Sequence, residues 1–116
     1  MSTSDTYTIA AAAEQSGLTP YQVRNYLAMR LVRPCARSDG GFQLFDADCI
    51  QRLRLIKACR DAGIGLAEIG VFTRSLDGED RARCREAERL LAQQLRDKRQ
   101  ALDRCVRVLS AAIEAS

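Results

Sequence analysis

The sequence predicts a mainly α-helical fold: a winged helix-turn-helix followed by a long C-terminal helix that pairs as an antiparallel coiled coil. Three observations carry that prediction. Leu18-Thr19-Pro20-Tyr21-Gln22-Val23 is a nearly complete helix start, placed just after Gly17, which can end a preceding helix. Ser38-Asp39-Gly40-Gly41 is a turn cluster between two short apolar stretches. Leu95, Leu102 and Leu109 recur every seven residues in a C-terminal run free of Gly and Pro. The expected division is a DNA-binding unit over residues 6–76 and a dimerisation helix over residues 79–116.

Met1 to Thr6 reads as a short polar lead with little to hold it. Thr8 can cap a first, alanine-rich helix from Ile9 to about Ser16, where small side chains favour helix and allow close packing. In the second helix Thr19 is a good N-cap and Pro20 suits the first helical position. Gln22 stands at the third position, where its side chain can return to the cap. This helix should run to about Met29, with Val23, Tyr26 or Leu27, and Leu31 facing inward. A helix, a glycine turn and a capped second helix make a helix-turn-helix, whose second helix enters the DNA major groove at its start. There Thr19, Tyr21, Gln22, Arg24, Asn25 and Tyr26 are the candidate DNA contacts, able to reach phosphates or base edges.

Pro34 stops any helix, and the turn cluster then joins two strands, with Val32, Pro34 and Cys35 before it and Phe42, Leu44 and Phe45 after it. Arg37, near the tip of this wing, is a further DNA-binding candidate. Asp46 or Asp48 should cap a third helix reaching Ala62, its buried stripe Ile50, Leu53 and Ile56 or Lys57, with Arg52, Arg54 and Arg60 outward. A short fourth helix should follow from Leu66 to about Ser75, packed through Ile69 and Phe72, and Leu76-Asp77-Gly78 reads as a hinge. From about Glu79 to Ala115 one helix carries the expected dimer seam: Leu91, Leu95, Leu102, Val106, Leu109 and Ile113. A helix of this length cannot bury such a stripe alone, which points to a homodimer.

Charge narrows the partner. Between Pro20 and Arg60 eight basic residues face three acidic ones, a local +5 in a chain whose formal total is +3. A basic field of this kind attracts a phosphate backbone and makes binding depend on salt. The chain holds no histidine, which removes Ser-His and Cys-His nucleophiles and histidine zinc sites, so an enzyme is not expected. No leader and no membrane-length apolar run is evident, so a cytoplasmic location with reduced thiols is expected. Of the five cysteines, Cys35, Cys49, Cys59 and Cys105 read as small buried apolar groups.

In this order the elements resemble the MerR family of bacterial transcription regulators. The resemblance is carried by Tyr7-Thr8-Ile9, Leu18-Thr19-Pro20, Val23-Arg24-Asn25-Tyr26, Arg33-Pro34, Gly40-Gly41-Phe42-Gln43-Leu44-Phe45, and Arg52-Leu53 through Ala62-Gly63-Ile64-Gly65-Leu66-Ala67-Glu68-Ile69. It implies double-stranded operator DNA as the partner, with Arg24 and Tyr26 at positions used on the DNA backbone. Two departures stand out. Arg24-Asn25-Tyr26-Leu27 replaces the usual Arg-Tyr-Tyr-Glu, and Gln43 replaces the usual wing arginine. Both are similar to the MerD branch, which implies a repressor or co-regulator of a mercury-resistance operon, acting beside a primary MerR-type regulator or RNA polymerase. No cofactor is expected. Cys84 resembles the first of the three thiolates with which mercury sensors of the family bind Hg(II); the segment carrying the other two has no counterpart before Ser116. Two other roles are a metal- or thiol-responsive activator and an adaptor that heterodimerises with a full-length regulator.

Overall fold

The computed structural model describes residues 5–116; Met1–Ser4, the greater part of the polar lead, lie outside the described residues. Five helices and one hairpin follow in order: α1 (Ile9–Ser16), α2 (Pro20–Ala28), β1 (Ala36–Arg37), β2 (Gln43–Leu44), α3 (Ala47–Asp61), α4 (Leu66–Asp77) and α5 (Arg81–Glu114).

Local signals account for most helix ends. Thr8 accepts from the Ala11 amide, and Asp46 from the Cys49 amide. Thr19 forms the reciprocal box: its hydroxyl accepts from the Gln22 amide at 3.1 Å, and the Thr19 amide donates to Gln22 Oε1 at 2.9 Å. Three C-termini use one device, a left-handed residue followed by an apolar residue whose amide donates back to the last turn. Gly17, with φ at 76°, is followed by Leu18, and Gly63, with φ at 88°, by the buried Ile64. At the end of α2 the left-handed residue is Arg30, with φ at 62°, followed by the fully buried Leu31, whose amide donates to the Tyr26 carbonyl at 2.9 Å.

The core is one cluster drawn from every helix: Ala12 and Ala13 of α1, Val23 and Tyr26 of α2, Leu53 and Ile56 of α3, Ile69 of α4 and Leu91 of α5, closed by Leu31, Val32 and Phe45. The wing pairs antiparallel, Ala36 opposite Leu44 and Arg37 opposite Gln43. Tyr7 extends it as a third edge through two backbone hydrogen bonds with Phe45, of 2.7 and 2.8 Å. At Gly70, α4 lies so close to α2's exit that a Cβ would stand 3.2 Å from Leu31 Cδ2.

The structure corrects the sequence reading in several places. Leu91 and Leu95 do not belong to a free seam. Leu91 is 8% exposed in the subunit core and Leu95 packs against it, because α5 lies along α4 for its first turns. Leu76 and Asp77 are not a hinge but the last turn of α4; only residues 78–80 connect it to α5, which Asp80 caps through the Ala82 and Arg83 amides. Arg52 does not project freely. It donates to Asp77 Oδ1 at 2.8 Å, and Arg33 reaches the same oxygen at 3.3 Å. Partial burial works to raise the Asp77 pKa, but the Arg52 hydrogen bond, the Arg52 charge and the Arg33 charge outweigh it and hold the carboxyl below its ordinary value. Its contribution is therefore present above the ordinary carboxylate pKa and is lost as pH falls through the lowered one. Cys35 and Cys105 are exposed rather than buried, whereas Cys59 is buried. Cys49 is half-buried, and desolvation pushes its thiol up to about 11.

Past Leu95 the helix leaves the domain. Every residue from Arg96 to Ser116 is exposed, and the described chain measures 66 × 33 × 28 Å. Leu102, Val106, Leu109 and Ile113 are 61–77% exposed.

Arg30 occupies a backbone conformation that costs a residue with a Cβ about 1 kcal/mol relative to glycine. Arg30→Gly is expected to raise stability by about 0.5–1 kcal/mol in urea unfolding followed by circular dichroism. An unchanged or lowered midpoint would contradict the strained cap.

Candidate nucleic-acid interface

Helix α2 sorts its side chains by what its buried side requires. Val23 and Tyr26, three residues apart, face the core at 0% and 7% exposure. The remaining positions of the first two turns are turned outward: Tyr21 at 70% exposure, with Gln22, Arg24 and Asn25 also exposed. Four of the six α2 candidates are thus presented. The other two have different duties. Thr19 is exposed, but its hydroxyl already accepts from the Gln22 amide, so it is first a cap. Tyr26 belongs to the core cluster, so its ring serves packing, and at most its hydroxyl is available to a phosphate. The same box engages Gln22 Oε1 and leaves the Gln22 amide nitrogen as its donor to a partner.

A groove runs beside α2 toward the wing, lined by Thr8 and Ile9 at the start of α1, Arg24 of α2, and Arg37, Gly41, Phe42 and Gln43 of the wing. It brings together Arg24 and Arg37, which lie thirteen positions apart in sequence. The Arg37 guanidinium donates to the Gly41 carbonyl at 3.3 Å, which steadies the turn from within. Ser38 helps: its hydroxyl accepts from the Phe42 amide at 3.1 Å. Gly41 sits at the tip with φ at 84°, and an added Cβ there would meet nothing, so conformation rather than space calls for glycine.

The register places a positive charge across from Gln43. Arg37 stands directly opposite Gln43. Directly paired residues share one face of a hairpin, with Cβ atoms about 5 Å apart. The Arg37 guanidinium thus lies on the same face as Gln43, next to the same groove. Phe42, 71% exposed beside it, and the α1 start at Thr8–Ile9 were not among the sequence candidates. An exposed aromatic after a Gly-Gly turn was the available signal for Phe42. Nothing local marks Thr8–Ile9, because the start of α1 and the wing come to line one groove only in the folded chain.

Other chemistry is sparse. Cys84 is half-buried, its sulfur 3.5 Å from the Ser75 carbonyl oxygen, between α4 and α5. Among the described residues no three His, Cys, Asp or Glu side chains form a group able to hold a metal ion. No helix of the described residues is long and apolar enough to cross a membrane.

A presented cationic helix start beside a basic wing, on a small helical core, defines a helix-turn-helix regulator. The chain belongs to the MerR family: the profile of MerR HTH family regulatory proteins matches residues 7–76, and that described as MerR, DNA binding matches residues 50–112. It is a DNA-binding transcription regulator of the MerR type, not an enzyme.

Among curated relatives, the HTH-type transcriptional regulator MerD of Shigella flexneri is 37% identical over 82% of this chain and 78% of its own length. MerD of Pseudomonas aeruginosa is 36% identical over 83% and 79%. MerD of Acinetobacter calcoaceticus is 42% identical over 64% of this chain, which spans 61% of that protein. The fold is that of HiNmlR, described as a MerR family regulator lacking the sensor domain, bound to promoter DNA. The TM-score is 0.79 at 24% identity, over 94% of this chain and 88% of that one. A MerR family regulator from Bacillus thuringiensis matches with a TM-score of 0.78 at 19% identity, over 96% and 99% of the two chains.

Arg24→Ala and Arg37→Ala are each expected to weaken binding to specific and nonspecific duplexes alike, and each to reduce the slope of log K against log salt by about one. A parent-like slope for either variant, measured by fluorescence anisotropy, would remove that residue from the phosphate contacts.

Proposed function

We propose that the chain acts as a homodimer on an inverted-repeat operator within promoter DNA. Each subunit would place the start of α2, with Tyr21, Gln22, Arg24 and Asn25, in a major groove and lay Arg37 of the wing on the flanking backbone. Residues 6–76 would form the DNA-reading unit and residues 79–116 the dimerisation helix. The observation that carries the reading is the division of α5. Its first turns close the subunit core, while Leu102, Val106, Leu109 and Ile113 stand exposed at heptad-like spacing. Four large apolar side chains on one stripe, flanked by charged residues, suit a helix–helix seam. Antiparallel pairing of these ends would hold two copies of α2 at a fixed separation, so half-site spacing becomes a geometric property of the dimer.

The regulatory role is that of a MerD-like co-regulator of a mercury-resistance operon, acting at the operator of a primary regulator and lowering transcription. Support comes from the named relatives and from two departures, Leu27 after Arg24-Asn25-Tyr26 and Gln43 in the wing, by which the sequence resembles the MerD branch. The pairing of Arg37 with Gln43 supports retained backbone binding by the wing despite the second departure.

Leu109→Glu places a charge within the exposed stripe without touching the subunit core. It is expected to give a monomer by light scattering and to lose operator binding in gel shifts, with helical content per chain retained. A dimeric Leu109→Glu protein, or a parent that is monomeric yet binds the operator, would contradict the dimer reading.

A further inference from the structure

The carboxylate of Asp77 draws together side chains from three parts of the fold. Asp77 is the last residue of α4, and only residues 78–80 lie between it and α5. A single oxygen, Oδ1, receives Arg52 of α3 at 2.8 Å and Arg33 at 3.3 Å. Arg33 lies in the segment between α2 and β1, where the chain turns into the wing. Its backbone is held as well: the Arg33 carbonyl accepts from the Cys49 thiol at 3.1 Å. The Arg33 side chain is 68% exposed, so an isolated surface pair of this kind adds little to stability. Its position matters more than its energy. The charged groups around this hollow are Arg33, Asp46, Asp48, Arg52 and Asp77.

We propose that Asp77 is a positioning residue, tying the root of the wing and α3 to the end of α4 and so fixing the angle at which α5 leaves the DNA-binding unit. This rests on the dimeric reading above. The apolar contacts of α4, Ile69 and the Gly70–Leu31 approach, hold the helix at its middle. The Asp77 pairs hold its end, immediately before the connection to α5. In a dimer joined through the far end of α5, a small change in that angle is carried along about 50 Å of helix. It alters the separation of the two copies of α2. Loss of the tie therefore relaxes the choice of half-site spacing more than it weakens contact with either half-site.

The test uses the full chain and an operator selected by the parent from random duplex DNA, with the half-site spacing then changed by one base pair in each direction. Such a change rotates one half-site by about 35° around the duplex. The parent should discriminate against it on the order of tenfold, comparable to a mismatched base pair. Asp77→Asn and Arg33→Gln should each bind the three spacings within about threefold of one another while the dimer persists in light scattering. Arg33→Gln alters an exposed side chain and carries the test if Asp77→Asn fails to fold. Retention of the parental preference by Arg33→Gln, or an equal loss on all three operators, would overturn the proposal. A parent that selects no inverted repeat would instead sink the dimeric reading on which it rests.

Discussion

One helix is asked to satisfy two surfaces, and the account depends on how it divides between them. Helix α5 is 34 residues long, about 50 Å, in a chain whose core is a single cluster of modest size. The domain can cover only its beginning. Ala87 and Leu91 close against α4 and Leu95 packs at the edge, after which every residue is exposed. The apolar stripe continues past that point. Leaving Leu102, Val106, Leu109 and Ile113 in water forgoes burial of roughly 25 cal/mol per Å², a driving force that only another molecule can satisfy.

The polar face of α2 follows from the same economy of burial. Helix α2 has nine residues and spends Val23 and Tyr26 on the core. Its other faces are free to be polar, and its reciprocal Thr19–Gln22 cap keeps a short helix from fraying at the end proposed to read DNA. The wing contributes charge by a similarly indirect route. Arg37 both braces its own turn at Gly41 and stands across from Gln43, so one guanidinium serves the hairpin and the groove.

Much of this was legible in the sequence because it is local. Caps at Thr8, Thr19 and Asp46, stops at Gly17 and Gly63, and the Ser38–Gly41 turn are all specified within a few residues. What was not legible depends on partners distant in sequence. The heptad repeat marks an apolar stripe but not its counterpart, so Leu91 and Leu95 were assigned to the seam although α4 covers them. Asp77 read as a hinge because nothing local predicts that Arg33 and Arg52 converge on it. Tyr26 read both as a DNA contact and, with Leu27 as the alternative, as an inward residue, and only the packed core decides that its ring faces inward. Arg30 gave no helix-stop signal, since the stop it makes is usually a glycine. The groove between the start of α1 and the wing lies beside the Tyr7–Phe45 pairing, which joins two segments far apart in sequence.

The central claim is that two copies of α2 are held at one separation by their own long helices. Hydroxyl-radical footprinting of the parent on its selected operator tests this most directly. Two symmetric protected patches are expected on one face of the duplex, their centres about one helical turn apart or a multiple of it. A single patch, or two whose separation varies from site to site, would contradict it.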